Sequence, residues 1–350
     1  MSSELKILLT GGGGFVGHHT LAHILKTTKW SVIILDSFRH LGISARLREV
    51  FRELPQHQSR IRVVTHDLVS PIDSITAREI GDVDVVINMA SLSSVDYSIK
   101  NPRKFVENNV SLQLTMLDYA KTLESLKLFL QISTDEVFGP ADLGTEHDEW
   151  DSILPSNPYS ASKAAQEALA ISYWRTFGLP VLITNTMNII GERQDVEKFV
   201  PLCVSRLLNN QRVPVHARFF DNKWKSGSRF YLHARNQADA LCFLINKSLN
   251  NPHLYLDGHS KPLRFNVRGE KEMQNDEMVR LIAELLGITS NDTVEYINVE
   301  GARPGHDLRY ALSGKRLSDL GWSPPVSFRE SLERTVNWTA QNPDWLLSNY

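Results

Sequence analysis

Two short stretches hold side chains able to do chemistry together: Ser133, Thr134, Asp135, Glu136, Val137, Phe138 and Gly139, then Tyr159, Ser160, Ala161, Ser162 and Lys163. They supply hydroxyls, two adjacent carboxylates, a phenol and an amine. Tyr159 and Lys163 are four residues apart. On a helix they share one face, where the ammonium can lower the phenol pKa and turn Tyr159 into a base. A phenol titrates near ~10, and each unit of depression favours the phenolate by roughly 1.4 kcal/mol. Asp135 and Glu136 add a separate acid and base. Dehydrogenation needs only the tyrosine and the lysine, so the extra carboxylates point to an oxidation coupled to an elimination.

Positioning such groups requires a rigid frame, and the chain carries one. Residues 5–10 read as a buried strand, 11–14 as a turn and Phe15 to Lys26 as a helix with Val16, Leu21, Ile24 and Leu25 on its apolar side. A second strand over 31–35 ends at Asp36, completing a βαβ unit. Further apolar runs at 61–65, 83–89, 126–132 and 181–185 alternate with helix-length segments. The fold class expected is α/β, a doubly wound parallel sheet of the dinucleotide-binding (Rossmann) kind with helices on both faces. Beyond about residue 186 the pattern loosens, with helical stretches at 199–210, 235–248, 275–286 and 328–342 and turn-rich ones at 216–229 and 300–306. This half reads as a smaller α/β lobe, giving domains of 1–187 and 188–350 in close contact, with chain crossings back to the first. The run from His216 to Ser228 reads as a loop or a hairpin, and its Phe219, Phe220 and Trp224 are unusual for plain solvent exposure.

Gly11, Gly14 and Gly17 open a helix directly after the first strand. The first allows a tight turn, the second a close approach of backbone to a pyrophosphate, and the third close helix-to-strand packing. Asp36, at the end of the next strand, is placed to accept hydrogen bonds from an adenosine ribose and to repel a ribose phosphate, so NAD is expected rather than NADP. Arg39 lies near it. Asp67 and Leu68 follow the third strand, where they would meet the adenine.

Composition narrows the partners. Hydrophobic residues are 42% and charged residues 22%, ordinary for a folded globular chain. The formal charge of -2 gives no field that would draw nucleic acid or an anionic membrane, so an anionic ligand must be held by local cations. Cys203 and Cys242 form no CxxC pair and no metal-binding spacing, and they read as reduced, buried thiols. The apolar run at residues 5–9 is too short for a signal peptide or a membrane span, so a cytoplasmic location is expected.

In this order the elements resemble the extended branch of the short-chain dehydrogenase/reductase family, and within it the nucleotide-sugar 4,6-dehydratases of the dTDP-glucose 4,6-dehydratase type. The likeness covers nearly the whole chain: Thr10 to Gly17 including Phe15 and Val16, Ser133 to Gly139, Asn157 to Lys163, Pro201 within 197–201, and Arg303 to Arg309. The Thr134, Asp135, Glu136 triplet is the discriminating element, since related epimerases usually lack the acidic pair. The resemblance implies that Tyr159 removes the sugar 4-hydroxyl proton while hydride passes to NAD. Lys163 would hold the nicotinamide ribose and Thr134 the C4 oxygen. Glu136 would act as base at C5, and Asp135 as acid to the departing C6 hydroxyl. It places Ser93 and Asn188 at the sugar and Lys198, Arg229, Arg303 and His306 at the diphosphate of a nucleotide-diphosphate hexose, dTDP- or UDP-glucose foremost. It also implies a homodimer pairing the helix around Phe105 to Lys121 with the Tyr159 helix. Val106, Val110, Leu114 and Leu117 suit that use or packing on the sheet equally well.

The chain departs from the family at Ser91 to Ser94, where a Glu and a His are usual. Phe138 stands where Tyr is common, and the stretch from Pro214 to Arg229 is about half a dozen residues longer than in the family pattern. Two other readings compete: a nucleotide-sugar epimerase, which needs Tyr159 and Lys163 but not the acidic pair, and a non-catalytic NAD-binding regulatory protein.

Overall fold

Runs of branched aliphatic residues that bury both of their faces are the natural strands of a parallel sheet, and they build most of this molecule. The computed structural model describes residues 4–40, 42–251, 260–298 and 307–347. Strands β1 (Lys6–Thr10), β2 (Ser31–Asp36), β3 (Ile61–Thr65), β4 (Val85–Asn88), β5 (Leu128–Thr134) and β6 (Val181–Thr186) alternate with helices α1 (Phe15–Thr27), α2 (Ile43–Glu53), α3 (Ser74–Ile80), α4 (Val95–Lys100), α5 (Pro102–Ala120) and α6 (Pro158–Phe177). The second half contributes β7 (Asn188–Ile190), α7 (Phe199–Leu208), β8 (Val213–Phe220), β9 (Lys223–Ser226), β10 (Ser228–His233), α8 (Ala234–Asn250), β11 (Leu263–Val267), β12 (Glu272–Gln274) and β13 (Val294–Asn298). Helices over Asn275–Leu285, Lys315–Asp319, Phe328–Gln341 and Pro343–Leu347 complete the described chain.

The main sheet has seven strands in the order β11-β6-β5-β4-β1-β2-β3, and every pairing in it is parallel. Its order reverses between β1 and β4, opening a crevice at the carboxyl ends of the strands, where ligands of such sheets bind. On one face Leu21 and Ile24 of α1, Leu47 of α2 and Leu241 and Leu244 of α8 bury themselves with Ile7, Ile34 and Ile87. On the other, Leu112 and Met116 of α5 and Ala170 of α6 pack on Leu8, Val86 and Phe129. Each fully buried Leu or Ile contributes roughly 1.5–3 kcal/mol, enough to fix the strand ends that carry the chemistry.

The expected strands and helices are present with ends displaced by at most two residues. Of the loop and the hairpin expected over 216–228, the hairpin is present: β8 and β9 are joined by Asp221 and Asn222, and β10 follows directly. Phe219 and Trp224 face each other across it, and Trp224 stacks on Tyr296 of β13 at 5.6 Å. The aromatic residues thus build the hairpin's own cross-strand contacts. Residues 300–306, read as turn-rich, lie outside the described residues. The two halves of the chain interlock, since β11 pairs with β6 and α8 packs on α1.

Candidate active site

The glycine-rich turn between β1 and α1 is shaped by close approach: a Cβ on Gly17 would lie 2.1 Å from the Gly11 carbonyl oxygen, so no larger residue fits. Gly14 caps α1 without any side chain, leaving the first N–H groups of that helix to a ligand. Phe15 and Val16 form its first turn. Asp36 is buried, and its carboxylate accepts from the Gly13 and Phe38 amides at 3.1 Å each, which ties the end of β2 to the turn. Burial pushes its pKa up despite those bonds. Asp67 pairs with Arg39 at 2.9 Å, and Arg39 also reaches Asn108, so that cation is engaged by the protein itself. Leu68 is buried beside them. A glycine cradle, open helix donors and a carboxylate at the neighbouring strand end fit a dinucleotide.

Across the crevice, β5 ends at Thr134 and the chain enters a 3-10 turn over Asp135–Phe138. The turn carries both carboxylates close enough to Tyr159 for their charges to act on its phenol. Thr134 caps the turn and donates to Asp135 Oδ1 at 2.9 Å, while Asp135 Oδ2 is buried without a partner among the described residues. Burial, with the Glu136 charge adding to it, pushes the Asp135 pKa up to about 7. Glu136 is also raised by burial, held back by the bond from Asn157 and by the charges of Arg229 and Lys198.

Asn157 is the hinge of the site. Its side-chain oxygen caps α6 by accepting from Ser160 N at 2.9 Å, and its Nδ2 donates to Glu136 at 3.1 Å. One side chain thus fixes both the helix that carries Tyr159 and Lys163 and the carboxylate opposite. Tyr159 is held by its amide on Ser98 Oγ at 3.2 Å and by the edge of Phe105. Lys163 Nζ donates to the Ile132 carbonyl at 2.7 Å and to Gln166 Oε1 at 2.6 Å. The expected depression of the phenol by Lys163 is not met here. The Tyr159 pKa is raised, chiefly by burial and then by the Glu136 charge, with Thr134 opposing. Helical spacing does put the two residues on one helix, but both protein bonds of the ammonium lead away from the phenol. Burial lowers Lys163 itself to about 8.

The substrate residues are placed unevenly. Asn188 is exposed on β7, and Lys198 reaches the Ser93 carbonyl at 3.4 Å. Arg229, expected at a diphosphate, is instead bonded to the carbonyls of Ser228, Asp307 and Leu308 and lies 4.6 Å over the Tyr310 ring. What it brings to the site is a field on Asp135 and Glu136. Arg303 and His306 lie outside the described residues. At the divergent stretch, Ser94 caps α4. Phe138 stacks on His147 and under Arg264, a packing role. The sequence reading did not single out Asn157, although Asn followed by Pro is the signature of a capped helix start. It also passed over Gln166, for which only a position one helical turn beyond Lys163 gave a signal.

Comparison with known proteins places this arrangement. The family model described as GDP-mannose 4,6 dehydratase matches residues 8–335. A dTDP-glucose 4,6-dehydratase of Escherichia coli is 30% identical over 366 residues, covering 97% of this chain and 95% of that protein. A crystal structure of dTDP-glucose 4,6-dehydratase from Streptomyces venezuelae, with NAD bound, is similar at a TM-score of 0.81 and 32% identity, covering 97% of this chain and 98% of that one. A trifunctional UDP-glucose 4,6-dehydratase/UDP-4-keto-6-deoxy-D-glucose 3,5-epimerase/UDP-4-keto-L-rhamnose-reductase of Arabidopsis thaliana is 28% identical over 345 residues. That match covers 97% of this chain and 48% of the plant protein, so the chain spans about half the length of such relatives. A family model that reaches from β1 into the last long helix, joined to end-to-end likeness with a dehydratase, fixes the assignment: this chain belongs to the GDP-mannose 4,6 dehydratase family.

Proposed function

We propose that the protein is an NAD-dependent nucleotide-sugar 4,6-dehydratase, a lyase that converts an NDP-hexose, dTDP- or UDP-glucose foremost, into the NDP-4-keto-6-deoxyhexose used in deoxysugar biosynthesis. The observation that carries this reading is the acidic pair. One short turn sets Asp135 and Glu136 beside Tyr159, and burial holds Asp135 near neutrality, where a carboxyl can both hold and give a proton. The glycine turn, the open donors at the start of α1 and Asp36 would hold NAD, which would supply a hydride acceptor for C4 and a hydride donor for C6.

The protein's own groups move the protons. Tyr159 takes the proton of the 4-hydroxyl, and Lys163 offers its remaining ammonium proton to the nicotinamide ribose. Protonated Asp135 withdraws one of the charges that raise the phenol pKa, so the acid form of Asp135 and the base form of Tyr159 favour each other. With C4 a ketone the C5 hydrogen is acidic, and Glu136, oriented by Asn157, removes it and gives the proton back to C5 when hydride reaches C6. Asp135 then gives its proton to the departing C6 hydroxyl. Thr134 meets the C4 oxygen, Ser93 and Asn188 the sugar, and Lys198 with Arg303 and His306 the diphosphate. Arg229 stabilises the carboxylates from behind.

A homodimer through α5 and α6 accompanies this reading. Val106, Val110 and Leu114 form an outward stripe at helical spacing, with Val106 and Leu114 exposed, while Leu117 turns into the core. Among the described residues no helix is long and apolar enough to cross a membrane, and Cys203 and Cys242 are free thiols. A cytoplasmic location accords with both. The test is Asp135→Asn and Glu136→Gln, assayed separately. Each should lower the rate of water loss by about 10²–10⁴-fold while NAD binding persists. Unimpaired water loss in both would remove the basis of the reading.

A further inference from the structure

Lys163 lies 4% exposed, and an ammonium has three protons to give. Two are already committed, to the Ile132 carbonyl and to Gln166 Oε1. Gln166 is fully buried, and its amide has one workable orientation. Nε2 donates to the Asn109 carbonyl at 2.8 Å, which leaves Oε1 facing the ammonium. The flipped amide would set N–H against ammonium and oxygen against carbonyl. Behind Gln166 the bonds continue inward. Gln131 Nε2 approaches its Oε1 at 3.4 Å, and Asn88 donates to Gln131 at 3.0 Å. Thr10 donates to Asn88 at 2.9 Å at the end of β1, where the glycine turn begins. A line of buried amides therefore joins the cofactor turn to the lysine.

We propose that Gln166 is a positioning residue for Lys163: it fixes the ammonium so that its third proton is the one presented to the ribose of the dinucleotide. This rests on the NAD-dependent reading of the site. An amide neither gains nor loses a proton near neutrality, so Gln166 anchors the charge without relaying it. The charged and titratable groups beside the lysine on its own helix are Tyr159, one turn before it, and Glu167, whose charge acts on it and which pairs with Arg264 of β11 at 2.7 Å. Glu167 supports the ammonium charge while burial opposes it. Gln166 supplies a second neutral acceptor beside the Ile132 carbonyl.

The experiment is an NAD titration of the full-length wild type, Gln166→Leu and Gln166→Glu, followed by tryptophan fluorescence from pH about 6 to about 10, with kcat and KM for dehydration measured alongside. Gln166→Leu should weaken NAD binding by about tenfold, the size expected when a buried charged donor loses an acceptor. Its alkaline loss of affinity should begin at lower pH. In Gln166→Glu the added carboxylate should keep binding within about threefold of wild type and move the alkaline loss to higher pH. The kcat of Gln166→Leu should fall while KM for the sugar nucleotide stays nearly constant. Unchanged affinity and pH limb in both variants, or limbs moving in the same direction, would overturn the proposal. If Gln166→Leu does not fold, an unmoved limb in Gln166→Glu overturns it alone. A wild type that binds NAD with the expected limb yet dehydrates nothing would count against the dehydratase reading and leave this one standing.

Discussion

Asp135 is held between two requirements. As the proposed acid it must be protonated near neutral pH, and burial beside Glu136 achieves this by lifting its pKa to about 7. The same lift costs stability. Between the ordinary carboxylate pKa and about 7 the folded chain holds a proton that the unfolded chain has released, so stability present below that window is lost as pH rises through it. Asp135→Asn, which resembles the neutral acid, should therefore unfold at higher temperature than wild type at pH about 8, by an amount equivalent to about 1–3 kcal/mol. The gap should close towards pH about 4; thermal melts at both pH values check it. Activity should fall above pH about 7 as the acid form is lost, and a pH profile of kcat reads this directly. Residue types and spacings made Asp135, Glu136, Tyr159 and Lys163 legible in the sequence. Their electrostatics were not, because the direction of a pKa shift depends on burial, and only the fold revealed that Lys163 turns towards Gln166 and Ile132.

At the scale of elements, the site is a junction between the end of β5 and the start of α6, and two small features hold it. Gly139 closes the 3-10 turn with φ of 77°, and a Cβ there would lie 2.4 Å from the Leu154 carbonyl oxygen. Gly139→Ala should destabilise the protein by about 1–3 kcal/mol and lower kcat, seen in denaturant melts and initial rates. Asn157→Ala removes the cap of α6, worth about 1 kcal/mol, and the bond that draws the Glu136 pKa down. Glu136 should then titrate higher, and since the base form is required, the acid limb of the rate profile should move to higher pH. A limb that stays in place would show that the Asn157 bond does not govern Glu136. Strand and helix periods were readable here because both ran long and regular. The turn was not, since four residues of 3-10 helix at a strand end have no period of their own.

At the scale of the whole molecule, the second half is not an appendage. Strand β11 completes the edge of the main sheet, and its Arg264 meets Glu167 of α6 inside the core at 2.7 Å. A fragment ending at residue 187 would strip that carboxylate of its arginine and leave the Asn185 amide to meet it, so it should fail to give a cooperative thermal transition. The parallel sheet and its helices were evident from alternating apolar runs. Chain crossings back to the first half were expected, but the strand that makes one was not legible, because a strand of five residues states its own burial and not its neighbour. If α5 faces a second copy, Leu114→Arg should turn a dimer into a monomer, measured by sedimentation. The central claim is dehydration. The most direct test is mass spectrometry of the purified protein incubated separately with dTDP-, UDP-, GDP- and CDP-hexoses without added reductant. Loss of one water from one of these, with no net consumption of NAD, is the predicted result. A product of unchanged mass with an inverted stereocentre, or no product from any of the four, would contradict it.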